Sequence, residues 1–402
     1  MKSMKIETLP TEFVAATPIL ETIEAAGYEA YFVGGSVRDT LLGLPIHDVD
    51  IATSAYPQEV KQLFKKTVDT GIEHGTVMIL DHGTGYETTT FRTETGYQDY
   101  RRPDSVTFVR SLREDLKRRD FTINALAMTH DGEIIDYFNG LGDLKAKRIK
   151  AVGNPEERFH EDALRTMRAI RFASQLDFTI DPQTVAAIQH HGNLLTKIAV
   201  ERIHVEFVKL FLGKHPANGL TTFVETGLYQ YCPGLATARE ALAQLISALQ
   251  HGLSSETTVW TLIASAVGLT NRQVGSFLKQ WKSANQLISD VAAAVRFLEA
   301  LQAGEVTNWV LYQAGAAHIK TAAEVANILQ IDTPSLSQLL DQYETLTIKS
   351  KQDLAISGQD LIKAGVAPGP KLGQLLTKLE REVVAGTLDN DLGQLLNQAL
   401  KD

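Results

Sequence analysis

The stretch from Tyr31 to Ser54, YFVGGSVRDTLLGLPIHDVDIATS, constrains this chain more than any other. It reads as a short apolar strand, Tyr31 to Val33, that runs into a Gly34-Gly35 turn. A helix then opens at Ser36 and stops at Gly43, and a second strand carries Asp48 and Asp50. Paired glycines let the backbone turn tightly and bring its amides close to a ligand, and Ser36 with Asp39 has the spacing of an N-cap with a capping box. A helix start behind such a turn attracts anions. Side chains alternate along a strand, so Asp48 and Asp50 are expected on one face, about 7 Å apart, placed to hold hard divalent cations. Taken singly, each feature has a plainer reading: GGS before a helix is most often a turn, and DxD most often a solvated strand end. Together they point to metal-assisted phosphoryl chemistry.

At 402 residues the chain exceeds one ordinary core, so two to four domains are expected. The opening MKSMKIETLP lacks the apolar centre of a secretion signal, and no later stretch is apolar enough to span a bilayer. The single cysteine, Cys232, excludes an internal disulfide and a Cys-rich zinc site. A cytoplasmic setting with no membrane partner is therefore expected. The net charge of −9 argues against a protein that coats nucleic acid non-specifically, and leaves room for local basic patches.

Residues 11–27 read as an amphipathic helix, Pro57 opens another, and TVMIL (76–80) and YETTTFR (86–92) read as strands joined by a glycine-rich hairpin. Glu87 lies on the second of these strands. Residues 97–120 gather Arg101, Arg102, Arg110, Arg113, Lys117, Arg118 and Arg119 around an irregular Pro103-Asp104 loop and a helical run, in isolation a solvated, charge-laced surface. From about Leu144 helical periodicity takes over. Pro155 opens a helix reaching Leu176, with Ala163, Leu164, Met167, Ile170 and Phe172 as its packing stripe. On it Asp162, Arg165, Arg168 and Arg171 recur every third residue, as an ion-pair ladder or as a binding row. Trp260 and Trp281 read as core, and the Gly365–Pro370 region as an inter-helix turn or a phosphate contact.

The pattern GG(S)VRD, LLG, DVD and IAT resembles the signature of the polymerase-beta-like nucleotidyltransferases, in the class II branch that holds tRNA CCA-adding enzymes and bacterial poly(A) polymerases. RRDFTINALAM and EDALRTMRAIRF resemble two further motifs of that family, and RRPDxVxF its flexible loop, at Arg102-Pro103-Asp104 and Val106 to Phe108. The resemblance implies an α+β fold: a head (1–143) with a small mixed nucleotidyltransferase sheet and helices, then an all-α neck (144–212), body (213–335) and tail (336–402), the tail meeting tRNA. It implies that Asp48 and Asp50 hold two Mg²⁺ ions and that Glu87 is the third carboxylate of the site. Gly35, Arg38 and Arg119 would hold the triphosphate with Asn124 nearby, Asp162 and Arg165 would read the base, and Arg168 and Arg171 would continue the basic line.

Cytosine and adenine both present an amino donor beside a ring-nitrogen acceptor, which a carboxylate beside a guanidinium complements. The resemblance implies template-independent addition of C, C and A to the 3′ end of tRNA, from CTP and ATP, with pyrophosphate leaving. Poly(A) polymerases carry a GRRF-like segment where TGIEHGTV (70–77) stands here, as in the CCA-adding group, and the tail resembles the Gram-positive type. Two alternatives remain at this level: a relative that adds only A or makes poly(A), and a tRNA-binding protein with a dead head. Retention of both Asp48 and Asp50 argues against the second. Whether the chain forms a homodimer is left open.

Overall fold

The computed structural model describes residues 4–98 and 102–401, with the side chains of 95–105 outside that description. It divides into two units, residues 1–239 with 250–252, and residues 240–249 with 253–402.

The first unit opens on β1 (Met4–Lys5), α1 (Thr11–Ala25), β2 (Ala30–Val33), α2 (Gly35–Leu41), β3 (Asp50–Thr53), α3 (Pro57–Leu63) and β4 (Thr67–Gly71). It continues with β5 (Thr76–Asp81), β6 (Thr84–Thr90), β7 (Arg92–Gln98), β8 (Arg102–Phe108), α4 (Leu112–Lys117), β9 (Leu126–Met128), β10 (Glu133–Asp136) and α5 (Gly140–Lys145). Eight strands form one sheet in the order β1-β10-β9-β2-β3-β6-β5-β4. It is mixed, as expected: β3 and β6 run parallel and the other pairs antiparallel.

Alternation on β2 covers both faces of this sheet. Phe32 points to α1, where its ring lies 4.7 Å from that of Phe13, and Phe13, Ala16, Ile19, Leu20 and Ile23 bury the helical stripe. Val33 points the other way, into a cluster with Ala52, Phe91, Leu112, Leu116, Ala125, Ala127 and Val152. The expected glycine-rich hairpin between β5 and β6 turns on two residues, His82 and Gly83, both with positive φ. The loop expected at Pro103-Asp104 is instead strand β8, paired with β7 in a separate ribbon. Arg101 lies outside the described residues.

Helices then dominate: α6 (Pro155–Glu161), α7 (Leu164–Leu176), α8 (Pro182–His191), α9 (Val200–Leu212) and α10 (Pro216–Glu225). A two-residue parallel pair, β11 (Arg148–Ile149) with β12 (Thr179–Ile180), interrupts the expected all-helical run. The single helix expected from Pro155 to Leu176 is broken at Asp162, which adopts extended φ/ψ between α6 and α7. The second unit is helical throughout its described residues, and its Trp260 and Trp281, fully buried with ring centroids 4.8 Å apart, are core as expected. Cys232 is buried and free. Among the described residues no helix is long and apolar enough to cross a membrane.

Because β2 delivers the Gly34 turn, α1 supports the site from behind. Phe13→Ala is expected to cost about 3–5 kcal/mol, the range for emptying a buried aromatic position. Urea unfolding of the variant checks this; a loss below about 1 kcal/mol would show that α1 does not brace β2.

Candidate active site

The strand β2 ends at Gly34, whose φ of +79° and ψ of −139° suit glycine and strain any L side chain. The tight turn also needs the space: a Cβ there would stand 3.1 Å from Arg119 Nη1 and 3.5 Å from Asp50 Oδ2. The expected capping box is not formed. Ser36 Oγ donates back to the Val33 carbonyl at 3.2 Å, and the Asp39 carboxylate accepts from Arg38 Nε and Nη2 at 2.8 and 2.9 Å. Asp39 is thereby spent on orienting Arg38, and the first turn of α2 has no side-chain cap.

Asp48 precedes β3 instead of lying on it, because the segment from Leu44 to Val49 is irregular. Asp50 is the first residue of β3, and its register opposite Val33 turns it to the same face. The parallel register Ile51↔Thr88 sets Glu87 of β6 beside Asp50 on that face. Burial pushes the Asp50 carboxyl above its ordinary pKa; nearby Arg119 opposes this, and the negative charges of Glu87 and Asp48 add to it. Asp50 thus feels the charge of two further carboxylates and one guanidinium, and a divalent cation would relieve the repulsion among these hard oxygen donors.

Next to Asp50 opens a cavity of about 420 Å³, lined by Gly34, Gly35, Asn124, Phe172, six arginines (38, 118, 119, 165, 168 and 171) and three aspartates (50, 120 and 162). Every expected nucleotide-binding residue lines it, as does Asp50, whereas Asp48 and Glu87 lie outside its lining. The excess of guanidinium over carboxylate makes it a receptor for a polyanion.

Its organising group is Asp120. This carboxylate accepts from the Asn124 amide at 3.0 Å and from Arg168 Nε at 2.7 Å. Burial alone would raise its pKa, but the Arg168 charge and the hydrogen bonds from Asn124 and Arg168 hold it well below the usual carboxylate range. Asn124 Oδ1 in turn accepts from Arg38 Nη1 at 2.6 Å. Arg171 pairs with buried Glu206 of α9 at 2.6 Å, and its guanidinium lies 4.1 Å from the Phe172 ring centroid.

The every-third-residue series is not a ladder, since its members pair outside the series. Arg165 Nη1 meets Glu161 at 3.0 Å and its Nη2 donates to the Arg118 carbonyl at 2.9 Å. Asp162 accepts from the Leu164 amide, the first of α7, at 3.1 Å and from Arg202 Nη2 at 3.2 Å. Arg118, Asp120 and Phe172 line the cavity although the sequence reading gave them no site role; Phe172 was placed in the packing stripe. Glu206 had a legible signal, a carboxylate on the apolar face of a helix beside Ile203, Phe207 and Leu210.

Comparison with known proteins agrees with this geometry. The poly A polymerase head domain model matches residues 30–150, the probable RNA and SrmB-binding site of polymerase A residues 177–239, and a putative tRNA nucleotidyltransferase domain 2 residues 251–399. The CCA-adding enzyme of Latilactobacillus sakei is 60% identical over 396 residues, covering 98% of this chain and 100% of the relative. That of Levilactobacillus brevis is 58% identical over 96% of this chain and 98% of its own. The crystal structure of the Bacillus stearothermophilus CCA-adding enzyme in complex with CTP superposes with a TM-score of 0.88 at 40% identity, over 98% of both chains. With an Arg-lined cavity that takes in Asp50 and relatives matched end to end, the chain belongs to the CCA-adding enzymes, a family of tRNA nucleotidyltransferases.

Proposed function

We propose that the shared activity of the family, addition of C, C and A to the 3′ end of tRNA from CTP and ATP, is carried here by the cavity between the Gly34 turn and α7. A cavity lined by six arginines with Asp50 in its wall, its carboxyl raised in part by the charges of Glu87 and Asp48, is the observation that carries this reading. The family generally uses divalent metals, and we assign Mg²⁺ to Asp48 and Asp50, with Glu87 completing the carboxylate set. When bound, two such ions lower the pKa of the attacking 3′-hydroxyl and neutralise charge on the leaving pyrophosphate. Asp48 and Asp50 supply the anionic oxygens that position them. Arg38, held by Asp39 and Asn124, and Arg119, near Asp50, present guanidinium donors to the phosphates, with the Gly35 amide close by. Because these donors are fixed before the nucleotide arrives, little reorganisation is needed as charge shifts in the transition state.

Asp162 and Arg165 form the base reader in this proposal, and Arg168 and Arg171 extend the basic wall. An acceptor from Asp162 suits the exocyclic amino group of C or A, and a donor from Arg165 suits the ring nitrogen; U and G present a carbonyl to the carboxylate instead. The division into head (1–143), neck (144–212), body (213–335) and tail (336–402) is kept as a functional division, with the tail on the tRNA. It is supported by the cavity drawing on residues 34–124 of the head and 162–172 of the neck.

Asp48→Ala or Asp50→Ala is expected to lower nucleotide addition at least about a hundredfold, the scale of removing a main electrostatic element, while tRNA binding is kept. Addition to a tRNA lacking its 3′ end, with Mg²⁺ and each labelled triphosphate, reads this directly. Near wild-type addition by the double variant would remove the metal assignment.

Asp162→Asn keeps an oxygen for the Leu164 amide but replaces one acceptor by an amide donor. It is expected to raise UTP use relative to CTP by roughly tenfold or more, because a buried mismatch of hydrogen-bonding groups is costly. Kinetics with all four triphosphates decide it. An unchanged ratio in a folded variant would sink the base-reading role.

A further inference from the structure

Away from the arginine cavity, α8 ends in two consecutive histidines, His190 and His191. Neighbours on a helix point about 100° apart, so both rings reach one atom only if a partner lies between them. Glu156 of α6 is that partner. His190 Nδ1 and His191 Nε2 stand 2.7 and 2.8 Å from the same carboxylate oxygen, Glu156 Oε2. The three ligand atoms lie within 4.8 Å of one another, and no other group of His, Cys, Asp and Glu among the described residues does this. A third imidazole, His160, one turn along α6 from Glu156, packs against His191 with ring centroids 6.1 Å apart.

We propose that Glu156, His190 and His191 form a site for a borderline divalent transition ion, Zn²⁺ being the best match, separate from the metals of the reaction. Two imidazoles and one carboxylate with a fourth position for water is a zinc donor set. Tetrahedral coordination at zinc distances places ligand atoms about 3.3 Å apart, so the two N···O spacings need to open by about half an ångström. Imidazole nitrogen disfavours Mg²⁺, which separates this site from the one proposed at Asp48 and Asp50. The C-terminal end of α8 carries the negative end of the helix dipole and favours a cation there. The His190 side chain is 73% exposed, which gives the ion a path from solvent. On binding, His190 Nδ1 and His191 Nε2 give up any proton they carry, either to the ring's other nitrogen by way of solvent or, from a charged ring, to solvent, and each neutral ring then holds its single proton on the nitrogen away from the metal.

Such an ion staples α6 to α8. The far end of α6 carries Glu161, which holds Arg165, and leads into Asp162. The staple thus stiffens one wall of the cavity without touching the reacting atoms.

The test uses the whole chain, stripped with a chelator and titrated with Zn²⁺ alone by calorimetry and with Co²⁺ by visible absorption. Wild type is expected to take up one Zn²⁺ with a rise in Tm, and to give the intense Co²⁺ bands of a four-coordinate nitrogen–oxygen site. His190→Ala/His191→Ala, and independently Glu156→Gln, are expected to weaken Zn²⁺ binding by more than roughly tenfold and to lose the bands. Asp48→Ala/Asp50→Ala should keep both signals, so failure of the reaction-metal assignment leaves this result untouched. No saturable uptake by wild type, or bands lost with the aspartates and kept without the histidines, would overturn the proposal.

Discussion

The carboxylate of Asp120 is the interaction on which the cavity depends. It lies 8% exposed between Asn124 on one side and Arg168 of α7 on the other. Six guanidinium groups around one cavity repel one another, and each is held in place by a carboxylate: Arg38 by Asp39, Arg118 and Arg119 by Asp115, Arg165 by Glu161, Arg168 by Asp120 and Arg171 by Glu206. Exposed pairs of this kind contribute little to stability, and buried ones often no more than break even against desolvation. Their value here is positional. Losing one carboxylate leaves a buried charge uncompensated, which is expensive, so the set of arginines keeps a single arrangement.

The sheet does the equivalent work for the acids. Because β3 and β6 are parallel neighbours with Ile51 opposite Thr88, Asp50 and Glu87 arrive on one face without any loop having to place them. The same alternation sends Val33 and Ala52 into the cluster under α4, just before Arg118 and Arg119. Core packing and the position of the arginines are thus set by one register, and a slip of one residue would turn Asp50 to the opposite face.

Much of this was legible in the sequence where local pattern and chemistry coincide. The Gly34 turn, Asp50, Arg38, Arg119, and the Asp162–Arg171 series all meet at the cavity. What escaped reading depends on long-range partners. Ser36 and Asp39 have capping-box spacing, but Asp39 gains more from the adjacent Arg38 guanidinium, so the box is given up. Periodicity from Pro155 to Leu176 cannot show the break at Asp162, because an extended residue there costs the apolar stripe nothing: Phe159 still buries on α6 and Met167 and Ile170 on α7. Phe172 carries an apolar signal and so reads as core, yet Arg38, Arg168 and Arg171 all lie within about 5.5 Å of its ring centroid. The role of Asp120 becomes visible only when Arg168 of α7 is brought beside Asn124.

The central claim is that Asp120 pre-arranges the arginine cavity for a nucleoside triphosphate. Calorimetric binding of CTP to Asp120→Asn tests it most directly, since the amide keeps the shape and removes the charge. The account predicts affinity weaker by roughly ten- to a hundredfold in a variant whose circular dichroism matches wild type, the scale of a lost charge-assisted hydrogen bond. Unchanged CTP affinity in that folded variant would contradict it.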